Sequence, residues 1–252
     1  MSTPSFRFKR FEVWHDQCAM KVGTDAVLLG AWTMGHLAHD INKENVHVLD
    51  IGTGCGVIAL MLAQQLEYQN FHIDALDIDK AAIQQAAKNF ELSPWASHFS
   101  VFHTTFQSFQ PLESLQPSLN GAGYSLIVSN PPYFINSLLN PDKGRELARH
   151  TSTLSYEDLI QHATSLLAPK GTLALILPAE AEHSITQIAQ ANGLHINALT
   201  RVYSKQGKPC KRLLIAFCLD NTTQVKEDVL YIESTTSARS EQYAALTQNF
   251  YL

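Results

Sequence analysis

The run Asp50-Ile51-Gly52-Thr53-Gly54-Cys55-Gly56 constrains the fold of this chain more than any other feature. It joins an apolar, β-rich stretch, Val46 to Ile51, to a helical pattern from Val57 to about Leu66. A strand that turns straight into a helix needs backbone freedom. Alternate glycines supply it, and they leave no Cβ in the way of a ligand. The alternation then continues. A strand from Phe71 to Leu76 precedes a helix from Lys80 to about Phe90, and strands from Phe99 to His103 and Tyr124 to Ser129 follow. A helix from Ser155 to Leu167 ends at Pro169-Lys170-Gly171, ahead of a strand from Thr172 to Leu177. A helix from Ala181 to Asn192 precedes two strands, His195 to Tyr203 and Arg212 to Leu219, that have no helix between them. Such an order predicts right-handed crossovers and a doubly wound α/β fold, its mainly parallel, seven-stranded sheet closed by an antiparallel final strand. Ligands then bind at the carboxyl ends of the strands.

The glycine spacing narrows the ligand. A nicotinamide fingerprint needs G-x-G-x-x-G, and its last position here is Val57, so that pattern fails. Four cysteines without CxxC spacing and scattered histidines predict a reducing compartment and no metal site. No apolar run approaches the roughly 18 residues of a membrane helix. Met1 to Arg10 lacks a signal-peptide core, so a cytoplasmic protein with no membrane partner is expected.

The net charge of −5 argues against indiscriminate nucleic-acid binding, but its distribution is uneven. Arg7, Lys9 and Arg10 form one basic cluster, Lys143, Arg145 and Arg149 a second, and Lys205, Lys208, Lys211 and Arg212 a third. Between Asn45 and Asp142 stand only Lys80 and Lys88. Solvated loops produce such clusters, and so does a surface that grips phosphates.

Asn130-Pro131-Pro132-Tyr133 follows the fourth strand of the alternating series directly. Two prolines hold the backbone extended and stiff at the edge where ligands bind. The side-chain oxygen of Asn130 and the carbonyl of Pro131 could both accept from an exocyclic amine. Electron density would return to that nitrogen, whose lone pair is otherwise delocalised into the ring, and Tyr133 would stack on the base.

With the glycine loop, this motif resembles the class I S-adenosylmethionine-dependent methyltransferases. The resemblance implies that Asp50, Gly52, Thr53, Gly54 and Gly56 cradle the methionine part of the cofactor. Asp77, about 20 residues beyond the loop, would accept the ribose hydroxyls, and Ile78 would press on the adenine. Relatives often carry an aspartate after the third strand, where Thr105 stands here; a hydroxyl accepts without charge assistance. Lys21, Gly23, Thr24 and Asp25 resemble a segment that closes over the cofactor, with Thr24 or Asp25 capping a following helix.

Segments outside the shared core are more specific. Phe8-Lys9-Arg10-Phe11, Cys18 to Asp25, Ser93-Pro94-Trp95-Ala96 and Ala245 to Leu252 resemble one bacterial family, the tRNA1(Val) (adenine(37)-N6)-methyltransferases. That resemblance implies transfer to adenine N6 in a tRNA anticodon loop, by a monomer or weak dimer. It also implies three parts. Residues 1–44 would contribute to cofactor and RNA binding, residues 45–220 would form the methyltransferase domain, and residues 221–252 would be an extension packed on it. A guanine N2 methyltransferase of ribosomal RNA is the nearest alternative, and a non-catalytic RNA-binding relative the next. Protein-glutamine and DNA-adenine enzymes with the same motif bring extra recognition domains, and only about 45 residues precede the first strand of the alternating series here.

Overall fold

A computed structural model describes residues 4–37, 45–112, 115, 122–131, 154–222, 224–236 and 238–252. A short hairpin opens the chain, β1 (Ser5–Arg7) and β2 (Glu12–Trp14), followed by helix α1 (Thr24–Leu37). The central alternation is β3 (Val46–Ile51), α2 (Val57–Leu66), β4 (Phe71–Asp77), α3 (Lys80–Glu91), β5 (Phe99–His103) and β6 (Tyr124–Ser129). It continues with α4 (Tyr156–Leu166), β7 (Leu167–Pro178), α5 (Glu182–Ala191), β8 (His195–Tyr203) and β9 (Cys210–Cys218). The chain closes with β10 (Lys226–Tyr231) and α6 (Glu241–Thr247).

The main sheet has eight strands in the order β10-β8-β9-β7-β6-β3-β4-β5, one more than the seven expected. Strands β3 to β7 run parallel, and β9 is antiparallel to both β7 and β8, as the missing helix between β8 and β9 requires. The eighth strand, β10, pairs parallel with β8 along Lys226↔Ala198 to Tyr231↔Tyr203. Its first four residues, Lys226, Glu227, Asp228 and Val229, are exposed, so it lacks the apolar run that marks a buried strand. Charges on an outermost strand are what keep such an edge from pairing with other chains.

Alternation along the strands sorts side chains to two cores. Val46 and Val48 pack with α1, α2 and α3 on one face, whereas Leu49 and Ile51 pack with α4 and α5 on the other. Trp32 of α1 is fully buried against the sheet, and its indole N–H donates to Thr200 Oγ1 of β8 at 2.8 Å, so no polar group is stranded there. Strand β7 starts at Leu167, not Thr172, so Pro169-Lys170-Gly171 lies inside the strand rather than in a preceding loop. The register against β6 shifts between Tyr124 and Leu126, which accommodates the proline.

Candidate active site

Because β3, β4, β5 and β6 run parallel, the segments that follow them open on one edge of the sheet. Ile51 pairs with Leu76 on one side and Ser129 on the other, so the glycine loop lies between Asp77 and Asn130. Ser129 Oγ donates to the Ile51 carbonyl at 2.8 Å and fixes the base of this arrangement. The loop is tied to β4: the N–H groups of Gly52 and Thr53 both donate to the Leu76 carbonyl, at 2.9 and 3.0 Å. The Gly54 N–H donates to Asp77 Oδ2 at 2.9 Å.

Gly52 and Gly54 adopt φ of +71° and +56°, a region costly for residues with a Cβ. A Cβ at either would meet no described atom within 4 Å, so the loop backbone is open to a ligand. Gly56, at φ +84°, has a second reason: a Cβ there would stand 2.5 Å from the Phe90 ring. That glycine lets α3 pack against the loop.

Two carboxylates flank the loop. Asp77 accepts Gly54 N–H on one oxygen and Asp79 N–H on the other, at 2.9 Å each. Each oxygen keeps a lone pair, so the carboxylate can brace the loop and still accept from a ligand. Asp50, at the end of β3, is fully buried; Oδ2 accepts from the Thr53 hydroxyl at 2.8 Å, and Oδ1 has no hydrogen-bond partner among the described residues. Burial pushes its carboxyl up to about 7, against the opposing pull of the Thr53 hydroxyl, and the charge of Asp77 pushes the same way. Ile78, exposed beyond Asp77, presents an apolar surface at the edge. Thr105 accepts Ser108 N–H at 3.2 Å and caps a single 3-10 turn, which occupies part of the hydroxyl expected to face adenine.

The N-terminal segment reaches the same edge. The Gly23 carbonyl accepts from Val27 N–H at 3.3 Å, so Gly23 is the residue that caps α1, and Thr24 and Asp25 lie in its first turn. Asp25 there meets the favourable end of the helix dipole and accepts from Arg212 Nε at 2.9 Å. Lys21 lies exposed just before. The thiols of Cys18 and Cys55 are in hydrogen-bond contact; this raises the Cys18 thiol and lowers that of Cys55. Asn89, not singled out in the sequence, is buried on α3, and its amide donates at 2.8 Å to both the Cys55 and Trp14 carbonyls. A polar residue on the helix face that carries Ala82, Ile83, Ala86 and Phe90 was the signal available for finding it.

Asn130 and Pro131 sit at the carboxyl end of β6, Pro131 buried, whereas Pro132 and Tyr133 lie outside the described residues. The second basic cluster, Lys143, Arg145 and Arg149, also lies outside them. The third cluster is at the site's edge: Lys205 and Lys208 occupy the β8–β9 connection, and Lys211 and Arg212 open β9. The first cluster is placed elsewhere. Arg7 is exposed in β1, Arg10 forms an ion pair with Glu67, and Lys9 Nζ donates to the Gln248 carbonyl at 2.5 Å. Glu67 follows the far end of α2, about 16 Å from the glycine loop at 1.5 Å per residue. A cavity of about 600 Å³ opens there, lined by Lys9, Arg10, Gln64, Gln65 and Asn249 among others. It is remote from the motif-bearing strand ends.

The fold and this edge define a methyltransferase. Residues 33–193 match the model of the methyltransferase small domain, and the chain belongs to that family. It belongs, more narrowly, with the tRNA1(Val) (adenine(37)-N6)-methyltransferases: it is 44% identical to the one from Bacteroides fragilis over 252 residues, all of this chain and 99% of the relative. The same name is borne by relatives from Parabacteroides distasonis, 43% identical over all of this chain and 99% of theirs, and Tolumonas auensis, 38% over all of this chain and 98% of theirs. Solved structures agree on the fold alone. A predicted O-methyltransferase from Agrobacterium tumefaciens superposes with TM-score 0.63 at 17% identity, covering 90% of this chain and 96% of that one. The methyltransferase subunit of a type I restriction-modification system from Streptococcus thermophilus gives 0.56 at 16%, covering 84% and 47%.

Proposed function

We propose that this protein transfers a methyl group from S-adenosylmethionine to N6 of an adenine in tRNA, adenine 37 of a valine tRNA. The observation that carries the reaction is the placement of Asn130 and Pro131 beside the open Gly52–Gly54 backbone. The full-length match to the named relatives carries the substrate. The cofactor supplies an electrophilic methyl on a sulfonium. Gly52, Thr53 and Gly54 fit its methionine end, with Asp50 close behind, and Asp77 and Ile78 fit its ribose and adenine. Lys21, Gly23 and Thr24 close that pocket, and the Thr105 hydroxyl lies on its adenine side.

The protein's own part in the reaction is positioning. Asn130 Oδ1 and the Pro131 carbonyl each accept one N–H of the adenine amine. This draws the nitrogen towards tetrahedral geometry and aims its lone pair along the line of displacement. Pro132 keeps the turn stiff, and Tyr133 holds the plane of the base. No strong general base is required, because the nitrogen becomes acidic once methylated and loses its proton to water. A base in the anticodon loop is cheap to unstack, which suits a pocket built on stacking. Lys205, Lys208 and Lys211 grip phosphates beside the pocket. The protein acts in the cytoplasm as a monomer or weak dimer, with residues 45–220 as the catalytic unit.

The test is methyl transfer from labelled cofactor to unmodified tRNA, with the labelled nucleoside identified by mass spectrometry. N6-methyladenosine at position 37 of a valine tRNA is expected. Asn130→Ala should lower turnover by about 10²-fold or more and leave cofactor affinity unchanged, because the contact is made in the transition state. Label on guanosine would move the target, and equal loss of cofactor binding in the variant would reject the role of Asn130.

A further inference from the structure

We infer that Asn89 is a positioning residue for the cofactor: it latches the N-terminal segment Trp14–Gly23 to the glycine loop, so that both halves of the pocket form together. The inference deepens the methyltransferase reading and rests on it.

Asn89 is 1% exposed and makes three hydrogen bonds, none within its own helix. Its Oδ1 accepts from Trp14 N–H at 3.0 Å, and its Nδ2 donates at 2.8 Å to the Trp14 carbonyl and at 2.8 Å to the Cys55 carbonyl. The first two bonds grip one residue at both backbone groups, as a neighbouring strand would, at the end of β2. The third reaches the middle of the glycine loop. One side chain therefore joins two segments 41 positions apart, the difference between residues 14 and 55.

From Trp14 the chain has little freedom before it enters α1. His15 is buried, with Nδ1 accepting from Val22 N–H at 3.3 Å, so residues 15–22 form a closed turn. Cys18 and Val22 of that turn pack against the apolar cluster that contains Cys55 of the loop. At its far end the segment is held again, by Asp25 on Arg212. The loop is held to β4 and the N-terminal segment to its own hairpin, through His15 N–H on the Pro4 carbonyl at 2.9 Å, whereas the bonds of Asn89 run between the two. Without Asn89 these two walls would lose the hydrogen bonds that join them, and more of the cost of ordering them would fall on cofactor binding. A residue serving only to fill α3 would need no such bonds; Phe90 and Ala86 fill that role.

The measurement is cofactor affinity by titration calorimetry with S-adenosylmethionine and S-adenosylhomocysteine, on Asn89→Ala and the isosteric Asn89→Asp. The aspartate variant turns both donated bonds into carboxylate–carbonyl repulsions. Both variants should weaken each ligand about 10- to 100-fold, with kcat at saturating cofactor within about threefold of wild type. Gln64→Leu serves as the control. Gln64 is a buried amide whose Nε2 donates to the Asn249 carbonyl at 2.9 Å, away from the cofactor edge. It should lower Tm and leave affinity within about twofold. Equal affinity loss in Gln64→Leu, or wild-type affinity in Asn89→Asp, would overturn the latch. Hydrogen exchange on the wild-type protein tests it without any variant: the cofactor should protect residues 14–22 together with 52–56, and protection of the loop alone overturns it. Failure of the wild-type protein to bind either ligand would instead reject the methyltransferase reading.

Discussion

Replacing Asp50 by asparagine should remove a pH dependence of stability that the wild-type protein carries. The side chain is fully buried, one oxygen bonded to the Thr53 hydroxyl and the other unpartnered among the described residues, and burial raises its carboxyl from 3.8 to about 7. Between those values the folded state holds a proton that the unfolded chain has released. The folded state then binds more protons, so stability falls as pH rises and levels off above about 7. Integrated from about pH 5 to about pH 8, the loss is about 2–3 kcal/mol. For a chain of this size that corresponds to a Tm change of about 5–10 °C. The amide of the Asp50→Asn variant would be neutral in both states and would carry no such slope. It can still accept from Thr53, and any fixed cost of its buried N–H is the same at every pH. The assay is thermal unfolding of both proteins without cofactor at pH 5, 6, 7 and 8, read as the variant's Tm minus that of wild type. This difference should climb with pH and flatten above about 7, while titrations elsewhere in the protein cancel. A difference independent of pH would show that Asp50 is ionised throughout and that the reasoning about its burial is wrong.

Further outcomes follow from the same geometry. S-adenosylmethionine carries a net positive charge, which favours ionised Asp50; its affinity should rise up to about tenfold from pH 6 to pH 8 in wild type and stay flat in Asp50→Asn. Calorimetry at the two pH values checks this, and an equal slope in both proteins would reject it. Lys205→Ala and Lys208→Ala should each weaken tRNA binding and reduce the slope of log affinity against log salt by about one, measured by filter binding. Arg10→Ala should leave that affinity and slope unchanged and lower Tm slightly, because its charge is spent on Glu67.

Most of the sheet was legible because its strands are apolar on both faces and its helices are apolar on one. The run Val46 to Ile51 and the helix from Val57 match the observed β3 and α2 residue for residue. What escaped has physical causes. Strand β10 is an edge strand whose charged residues face solvent, so its hydrogen bonds, not its hydropathy, make it a strand. The early start of β7 escaped because a proline and a glycine signal a turn locally, and only the pairing of Leu167 with Tyr124 overrides them. At the candidate site, the placement of the glycine loop and Asp77 was legible because it follows from the ends of two strands in one alternating series. Asn89 was not, because its partners are Trp14 and Cys55, and no local pattern joins those three residues.

The basic residues near the N-terminus teach the converse lesson. Charge clusters suggest phosphate contacts, yet Lys9 and Arg10 sit in a clasp that fastens the two ends of the chain. Lys9 N–H donates to the Phe250 carbonyl at 2.8 Å, and Phe8 stacks on Phe11 at 4.6 Å and lies against Tyr251 at 6.2 Å. Phe11 meets Trp95 edge-on at 6.0 Å, and the Arg10 guanidinium lies 5.5 Å over the same indole. Three of the four segments through which this sequence resembles its family, Phe8–Phe11, Ser93–Ala96 and Ala245–Leu252, therefore meet in one aromatic cluster at the opposite end of α2 from the glycine loop. A cluster of interlocking rings tolerates few substitutions one at a time, since each ring is shaped to its neighbours. Phe8, Phe11, Trp95 and Tyr251, all outside the glycine loop and the Asn-Pro-Pro turn, thus hold the chain's ends in place.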